Sequence, residues 1–309
     1  MRVVITGAAG YIGSQLAKKL IHLGVNVLGL DIVSKPASEM GFDIEKMDIR
    51  DPNLGERLRE FGTTHVVHLA SIVSPGANEE LEYDIDVNGT RNVVEGCLFA
   101  GVKHLTVTSS GAAYGYHADN PAWLKETDTL RGNDAFSYSR HKRIVEEMLA
   151  QYREGHPTLQ QLILRPGTVL GDTTKNMITQ LFARKSVLAI RGYDSPFVFI
   201  WDKDLIEILT RGVSESITGI YNVAGDGAVT VKELAGIMRK PLRQLPAGLV
   251  RSVLWVTHSL GLSQAGPNHL LFLQFRPVLD NARLKSEFGY QPEKSSVEVF
   301  KYFLKHQKS

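Results

Sequence analysis

The segment Tyr138-Ser139-Arg140-His141-Lys142 sets a phenol and an ammonium four residues apart, on one face of any helix that carries them. A free phenol titrates near 10, so a tyrosine moving protons near neutrality needs a positive charge beside it. Lys142 can supply that charge. Thr108-Ser109-Ser110 closes an apolar run upstream, and a hydroxyl there could bond a substrate oxygen while Tyr138 moves the proton. At the start of the chain, Gly7-Ala8-Ala9-Gly10-Tyr11-Ile12-Gly13 follows an apolar run and opens a helical pattern. Glycines at this spacing allow a tight turn, a backbone approach to a pyrophosphate and close helix–strand packing, with helix N–H groups facing the anion. Asp31 ends the next apolar run, where a carboxylate accepts hydrogen bonds from ribose hydroxyls and repels a 2′-phosphate. No Arg follows it within a few residues, which favours NAD over NADP, although Lys35 lies near.

These groups need a scaffold, and the alternation of patterns supplies one. Strands are expected at 3–5, 25–31, 44–48, 65–70, 104–108 and 159–165. Helices are expected at 11–23, from Asp51-Pro52, at 79–100 and at 138–152. Short connections between them read as βαβ units, hence an α/β Rossmann-type doubly wound parallel sheet with its ligand at the strands' carboxyl ends. After Arg165 glycine and proline become frequent. A strand is expected at 197–201, a helix from Asp204, and another after the capping-box signature Thr230-Val231-Lys232-Glu233. The division expected is a dinucleotide-binding domain at 1–165 and a smaller, discontinuous substrate-binding region at 166–309. Segments near 196–225 are expected to return to the core.

The composition narrows the partners. Lys+Arg number 35 against Asp+Glu 33, a net +2 that gives nucleic acid no basic surface to bind. The single Cys97 forbids an internal disulfide, fits a reducing compartment, and reads as a buried small residue. The start lacks a signal-peptide pattern, and the apolar stretch 249–262 is interrupted by Arg251 and His258, so a soluble cytoplasmic chain without membrane contact is expected. Ten histidines show no metal-ligand spacing, so no metal is expected. The long segment between Ser110 and Tyr138 carries Tyr116, His117 and Trp123, candidates for a substrate wall.

Taken together, these residues resemble the extended short-chain dehydrogenase/reductase superfamily, in its NAD-dependent epimerase/dehydratase branch. The likeness runs through the glycine loop, Asp31, Met47-Asp48-Ile49, His68-Leu69-Ala70-Ser71, Asn88-Gly89-Thr90-Arg91-Asn92 and Ser109-Ser110 with Tyr114-Gly115. It continues in Tyr138 to Lys142, Leu164 to Gly171 and Tyr221-Asn222-Val223-Ala224-Gly225. The resemblance implies hydride transfer at an oxygen-bearing carbon. Tyr138 would be the general acid/base and Lys142 would tune it and hold the ribose. Ser110, with Ser109 as second choice, would orient the substrate oxygen. Asp48 and Ile49 would flank the adenine, and Leu69, Ala70 and Ser71 would line the cofactor path. Pro166 and Val169 would approach the nicotinamide. Gly7, Gly10, Tyr11, Ile12, Gly13, Asp31, Ile32 and Thr108 complete the implied cofactor contacts, and Ala112 and Gly167 join Ser110 and Tyr138 on the substrate.

The chain departs from that pattern where nucleotide sugars are usually gripped. Ser195-Pro196 stands where such members carry an Arg before the strand at 197–201, and Pro267 to Leu271 offers none before Asp280. The usual Asn after the sixth strand is replaced by Arg165-Pro166-Gly167-Thr168. Diphosphates are commonly held by bidentate Arg, so the expected substrate is a small alcohol or ketone without a nucleotide. Arg276 could replace the missing cations by another route. The alternatives are a nucleotide-sugar 4-epimerase or dehydratase and a non-catalytic dinucleotide sensor, the latter disfavoured by retention of Ser110, Tyr138 and Lys142. A homodimer through the helices at 79–100 and 138–152 is implied by the resemblance.

Overall fold

The computed structural model describes residues 1–33, 35–72, 78–260 and 266–307. It resolves into two compact units, Met1–Ser110 with His141–Arg165 and Asp202–Tyr221, and Gly111–Arg140 with Pro166–Trp201 and Asn222–Ser309.

The first unit is built on a seven-stranded sheet. Strands β1 (Arg2–Thr6), β2 (Asn26–Asp31), β3 (Ile44–Lys46), β4 (His65–His68), β5 (His104–Thr108), β6 (Gln160–Pro166) and β10 (Gly219–Val223) lie in the order β3-β2-β1-β4-β5-β6-β10. The pairings from β3 through β6 are parallel. Parallel strands are covered on both faces, which is why Val3-Val4-Ile5 and Val66-Val67 are uniformly apolar and have no exposed surface. Helices α1 (Tyr11–His22), α2 (Ala37–Met40), α3 (Leu54–Phe61), α5 (Thr90–Ala100), α6 (Ser137–Gly155) and α8 (Asp202–Ser214) connect or cover them, and Cys97 is buried among Leu58, Val94 and Leu105. The strand order reverses between β1 and β4, the switch point at which doubly wound sheets open a crevice beyond their strand ends.

Several element boundaries move by one to three residues, most notably in two helices. The helix expected from Asp51-Pro52 begins at Leu54, because the Asp51 carboxylate accepts the Asn53 backbone N–H at 2.8 Å and holds a turn. The helix expected over 79–100 is α4 (Glu79–Tyr83), a π-helical turn Asp84–Gly89, then α5.

The second unit carries two small parallel sheets. In one, β7 (Thr168–Leu170) pairs with β9 (Phe199–Trp201); in the other, β8 (Val187–Ile190) pairs with β11 (Leu242–Leu245). Its core is aromatic, with Phe197, Phe199 and Phe300 stacked in sequence and Phe182 set edge-on to all three. The expected capping box is present: Thr230 accepts from the Glu233 backbone at 3.2 Å and opens α9 (Val231–Met238). Helix α7 (Met177–Ala183) precedes β8, and helices α10 (Ala247–Ser259), α11 (His269–Gln274), α12 (Ala282–Ser286) and α13 (Ser296–His306) come after β11. Among the described residues no helix is long and apolar enough to cross a membrane.

Candidate active site

The glycine loop is shaped by contacts that a side chain would prevent. Gly7 has φ +71°, and a Cβ there would lie 2.8 Å from the Ala70 nitrogen. A Cβ on Gly13 would come within 2.3 Å of the Gly7 carbonyl, so α1 can start this close to β1 only without one. Gly10 is exposed and caps α1 without a side-chain bond, leaving the first-turn N–H groups to an outside acceptor. The Gly7 N–H is tied to the Leu30 carbonyl at 2.9 Å. Asp31 braces the loop from β2: one carboxylate oxygen accepts the Ala9 N–H at 2.9 Å and the other the Val33 N–H at 3.0 Å. Each oxygen keeps a lone pair for a ribose hydroxyl, so the arrangement fits a dinucleotide.

Other expected cofactor residues divide by role. Ile32 is 61% exposed, whereas Ile49 is buried and packs over Gly89, where a Cβ would meet its Cδ1 at 2.6 Å. Ile49 is thus a core side chain, and its carbonyl accepts from Asn92 at 2.7 Å. Asp48 is paired with Arg50 at 2.6 Å, whose other nitrogen reaches Asp84 at 2.9 Å. The hydrogen bonds from Arg50 hold the Asp48 carboxyl below its ordinary range. Tyr11 donates to Asp202 at 2.5 Å, and Ile12 beside it is half-buried.

Beyond the ends of β4 and β5 the same unit holds a buried polar network. Thr90 donates to the Asp86 carbonyl at 2.5 Å, so it accepts from His68 Nε2 at 2.9 Å. His68 Nδ1 then accepts from Thr6 at 2.7 Å. Burial drives the His68 pKa down to about 3, helped by the positive charge of Lys142. Lys142 is also buried; it donates to Ser71 Oγ at 3.0 Å and to the Thr108 carbonyl at 3.3 Å. Ser71 passes the contact on to Asp86 Oδ1 at 2.9 Å, which also accepts the Ile72 N–H at 2.9 Å. The other Asp86 oxygen lies 3.4 Å from His141 Nδ1. Burial works to raise the Asp86 pKa, but His141, Lys142, Ile72 and Ser71 outweigh it and hold it low. Neither Asp86 nor His141 stood out in the sequence, where 55 residues separate them. No local signal marks Asp86, because Glu82, Asp84 and Asn88 make its stretch of chain polar throughout.

Leu69, Ala70 and Ser71 follow β4 directly, with Ala70 against Gly7. Thr108 ends β5, and Ser110 lies two residues beyond it, half-buried. Ser109 is buried and donates to Glu146, itself clamped by Arg165 at 2.6 Å.

In the second unit Tyr138 occupies the first turn of α6, one turn ahead of Lys142 on the same helix. Tyr116 lies edge-on to Phe136 and Phe272, with centroids 5.4 and 5.3 Å away. Burial raises its phenol pKa; Tyr138 adds to the rise and Arg276 opposes it. Ala112 is buried and its carbonyl accepts from Ser139 at 2.6 Å. Pro166 and Val169 are half-buried, and Gly167 gives its N–H to the Val223 carbonyl at 2.9 Å. Ser195, standing where the resemblance expects an arginine, accepts from Arg276 through its carbonyl at 3.0 Å and through its hydroxyl. His117 bonds the Arg131 carbonyl at 2.7 Å, and Trp123 is 44% exposed. Among the described residues no group of three or more His, Cys, Asp or Glu side chains could hold a metal ion.

The model of the NAD-dependent epimerase/dehydratase family matches residues 3–224. The chain belongs to that family. It is therefore an enzyme family member whose cofactor is NAD. Among curated proteins it is similar to the uncharacterized protein y4nG of Sinorhizobium fredii, 25% identical over 306 residues, 96% of this chain and 76% of the other. A UDP-glucose 4-epimerase of Erwinia amylovora is 31% identical over 179 residues, 53% of this chain and 52% of that one. Among solved structures, the Thermus thermophilus UDP-glucose 4-epimerase complex with NAD superposes with a TM-score of 0.75 at 24% identity, over 100% of this chain and 99% of that one. The Bordetella bronchiseptica enzyme WbmG in complex with NAD gives 0.77 at 20% identity, over 100% and 94%. Family and folds thus agree on a Rossmann-type parallel sheet that binds NAD.

Proposed function

We propose that the chain is an NAD-dependent oxidoreductase acting at an alcohol or ketone carbon of a small substrate without a nucleotide handle. The observation that carries this reading is the placement of Lys142. Its ammonium is fixed by Ser71 and the Thr108 carbonyl, one helical turn from the phenol of Tyr138. NAD, when bound, supplies the hydride acceptor. Tyr138 takes the proton from the substrate hydroxyl, or returns it to the ketone in reverse. Lys142 offers donors to the nicotinamide ribose. Ser110 orients the substrate oxygen, since the hydroxyl of Ser109 is engaged with Glu146. Asp31 receives the adenosine ribose, with the loop from Gly7 to Gly13 around the pyrophosphate.

The test is incubation with NAD and a panel of simple alcohols and nucleotide sugars, read as NADH absorbance. Net NADH with a non-nucleotide alcohol, lost in Tyr138→Phe by about 10²–10⁴-fold with NAD binding retained, is expected. Unchanged turnover in Tyr138→Phe would refute the acid/base assignment. A second reading, an epimerase or dehydratase acting on a nucleotide sugar, draws on the 31% identity to the Erwinia enzyme. It requires isomerised or dehydrated sugar without net NADH. The assembly proposed is a cytoplasmic homodimer, supported by the exposed apolar side chains Leu81, Tyr83 and Phe99 along α4 and α5. Light scattering at twice 34.2 kDa checks its size.

A further inference from the structure

Arg276 is a half-buried cation packed against Phe197, Phe272 and Ser195. Among the described residues no carboxylate lies within salt-bridge distance of it, although buried arginines are ordinarily paired. Its guanidinium is nevertheless held firmly. One face lies 3.8 Å from the ring centroid of Phe197, and Phe272 is 4.9 Å away. Nη1 donates to the Ser195 carbonyl at 3.0 Å and to the Ser195 hydroxyl. Ser195 holds that position with φ +41°, a left-handed conformation that a non-glycine residue adopts only when its surroundings impose it. Nη1 is thereby occupied, while Nε is fully covered and has no acceptor. Nε and Nη2 form the side-on edge that grips a carboxylate or phosphate with two parallel bonds.

The surroundings join this side chain to the ring cluster around Tyr116. Phe272, which stacks on Arg276, also meets Tyr116 edge-on, and Phe136 continues the aromatic wall to His269 at 5.2 Å. The phenol of Tyr116 feels the charges of both Arg276 and Tyr138. Arg276 and Tyr116 therefore share one ring, that of Phe272, within the same unit. Burial pulls the Arg276 pKa down to about 9, as expected of a cation lacking a counter-ion.

We propose that Arg276 binds an oxyanion on the substrate, a carboxylate or a phosphate monoester, through the guanidinium nitrogens that Ser195 does not engage, with Phe197 and Phe272 fixing the guanidinium plane. This rests on the oxidoreductase reading above and narrows its substrate to an anionic hydroxy or keto compound. A single guanidinium among aromatic rings suits one oxyanion better than a diphosphate, whose two charges call for a second cation.

The experiment uses the full chain loaded with NAD and two matched pairs of probes. The pairs are 3-hydroxybutyrate with its methyl ester, and glycerol 3-phosphate with glycerol, with UDP-glucose as a diphosphate control. Binding is followed by calorimetry. Modification of Arg276 by phenylglyoxal is followed by peptide mass spectrometry, which needs no variant. The anion of at least one pair should bind about tenfold or more tightly than its neutral partner and should slow modification of Arg276. Arg276→Met should bring that ratio to near one without weakening NAD. Preference confined to the carboxylate pair, or to the phosphate pair, identifies which oxyanion is read. Equal binding and equal protection by anion and neutral partner in both pairs would overturn the proposal, as would an unchanged preference in Arg276→Met. Tyr138→Phe separates the two readings. It should keep the anion preference while losing NADH formation, and a native chain that prefers the anion yet oxidises no alcohol would refute only the oxidoreductase reading.

Discussion

Two neighbouring serines at the end of β5 show how much a single hydroxyl's partner decides. Ser109 and Ser110 stand side by side in the sequence, and Ser109 donates to Glu146, which is buried against Arg165. Removing that donor leaves the buried carboxylate one hydrogen bond short, a loss of about 1–3 kcal/mol. Ser109→Ala is accordingly expected to lower the urea midpoint and largely spare turnover. Ser110→Ala is expected to leave the midpoint in place and cut turnover. Steady-state rates on both variants decide it, and the opposite pattern would exchange the two assignments. Asp31 carries the other residue-scale expectation. Its carboxylate already braces Ala9 and Val33, so a 2′-phosphate would meet a fixed negative charge. NAD should bind about tenfold or more tightly than NADP, with Asp31→Ser narrowing the gap, and calorimetry on the two cofactors reads it directly.

At the scale of elements, the turn from β1 into α1 tolerates no added atoms. The Gly13 position is blocked by backbone, not by a flexible side chain, so Gly13→Ala must push α1 away from β1. A cost of about 1–3 kcal/mol is expected, together with weaker NAD binding, and denaturant titration with and without NAD measures both. This turn was legible from the sequence because glycine spacing and an adjoining apolar strand are local signals. The same holds for β1, whose burial on both faces leaves the apolar run Val3-Val4-Ile5, whereas β4 and β5 carry their apolar residues between histidines and threonines. The π-helical turn Asp84–Gly89 was not legible: its i→i+5 hydrogen bonds leave no signature in residue type. Yet that turn carries Asp86, whose carboxylate meets Ser71 and His141 and so braces the ammonium of Lys142. The Tyr138–Lys142 spacing was visible at once, whereas its support depends on contacts between distant segments, which no single sequence displays. Arg276 and Ser195, 81 residues apart, are hidden for the same reason.

Across the whole molecule, buried histidines set a direction for acid stability. Burial lowers the pKa of His68 to about 3 and that of His65 to about 4, the latter aided by the neighbouring charge of His104. His104, whose ring lies 5.4 Å from that of His65, and His269 are lowered too, chiefly by burial. Above about pH 6.5 these rings are neutral in folded and unfolded chains alike, so they confer no pH dependence there. Below it the unfolded chain takes up protons that the folded chain refuses, and stability falls as pH drops. For His68 the slope is about 1.4 kcal/mol per pH unit, continuing toward its folded pKa near 3. Asp86, whose folded pKa lies below 3.8, adds a loss only at the acid end of that range. The thermal midpoint should therefore be level from pH 8 to 7 and decline steadily from about 6.5 to 4. His68→Gln keeps a donor and an acceptor for Thr90 and Thr6 but cannot take up a proton, so it should flatten the decline whatever its effect on the midpoint at pH 7. Scanning calorimetry on both chains at matched ionic strength measures this. An identical slope in His68→Gln would mean that the ring between β1 and α5 is not held neutral.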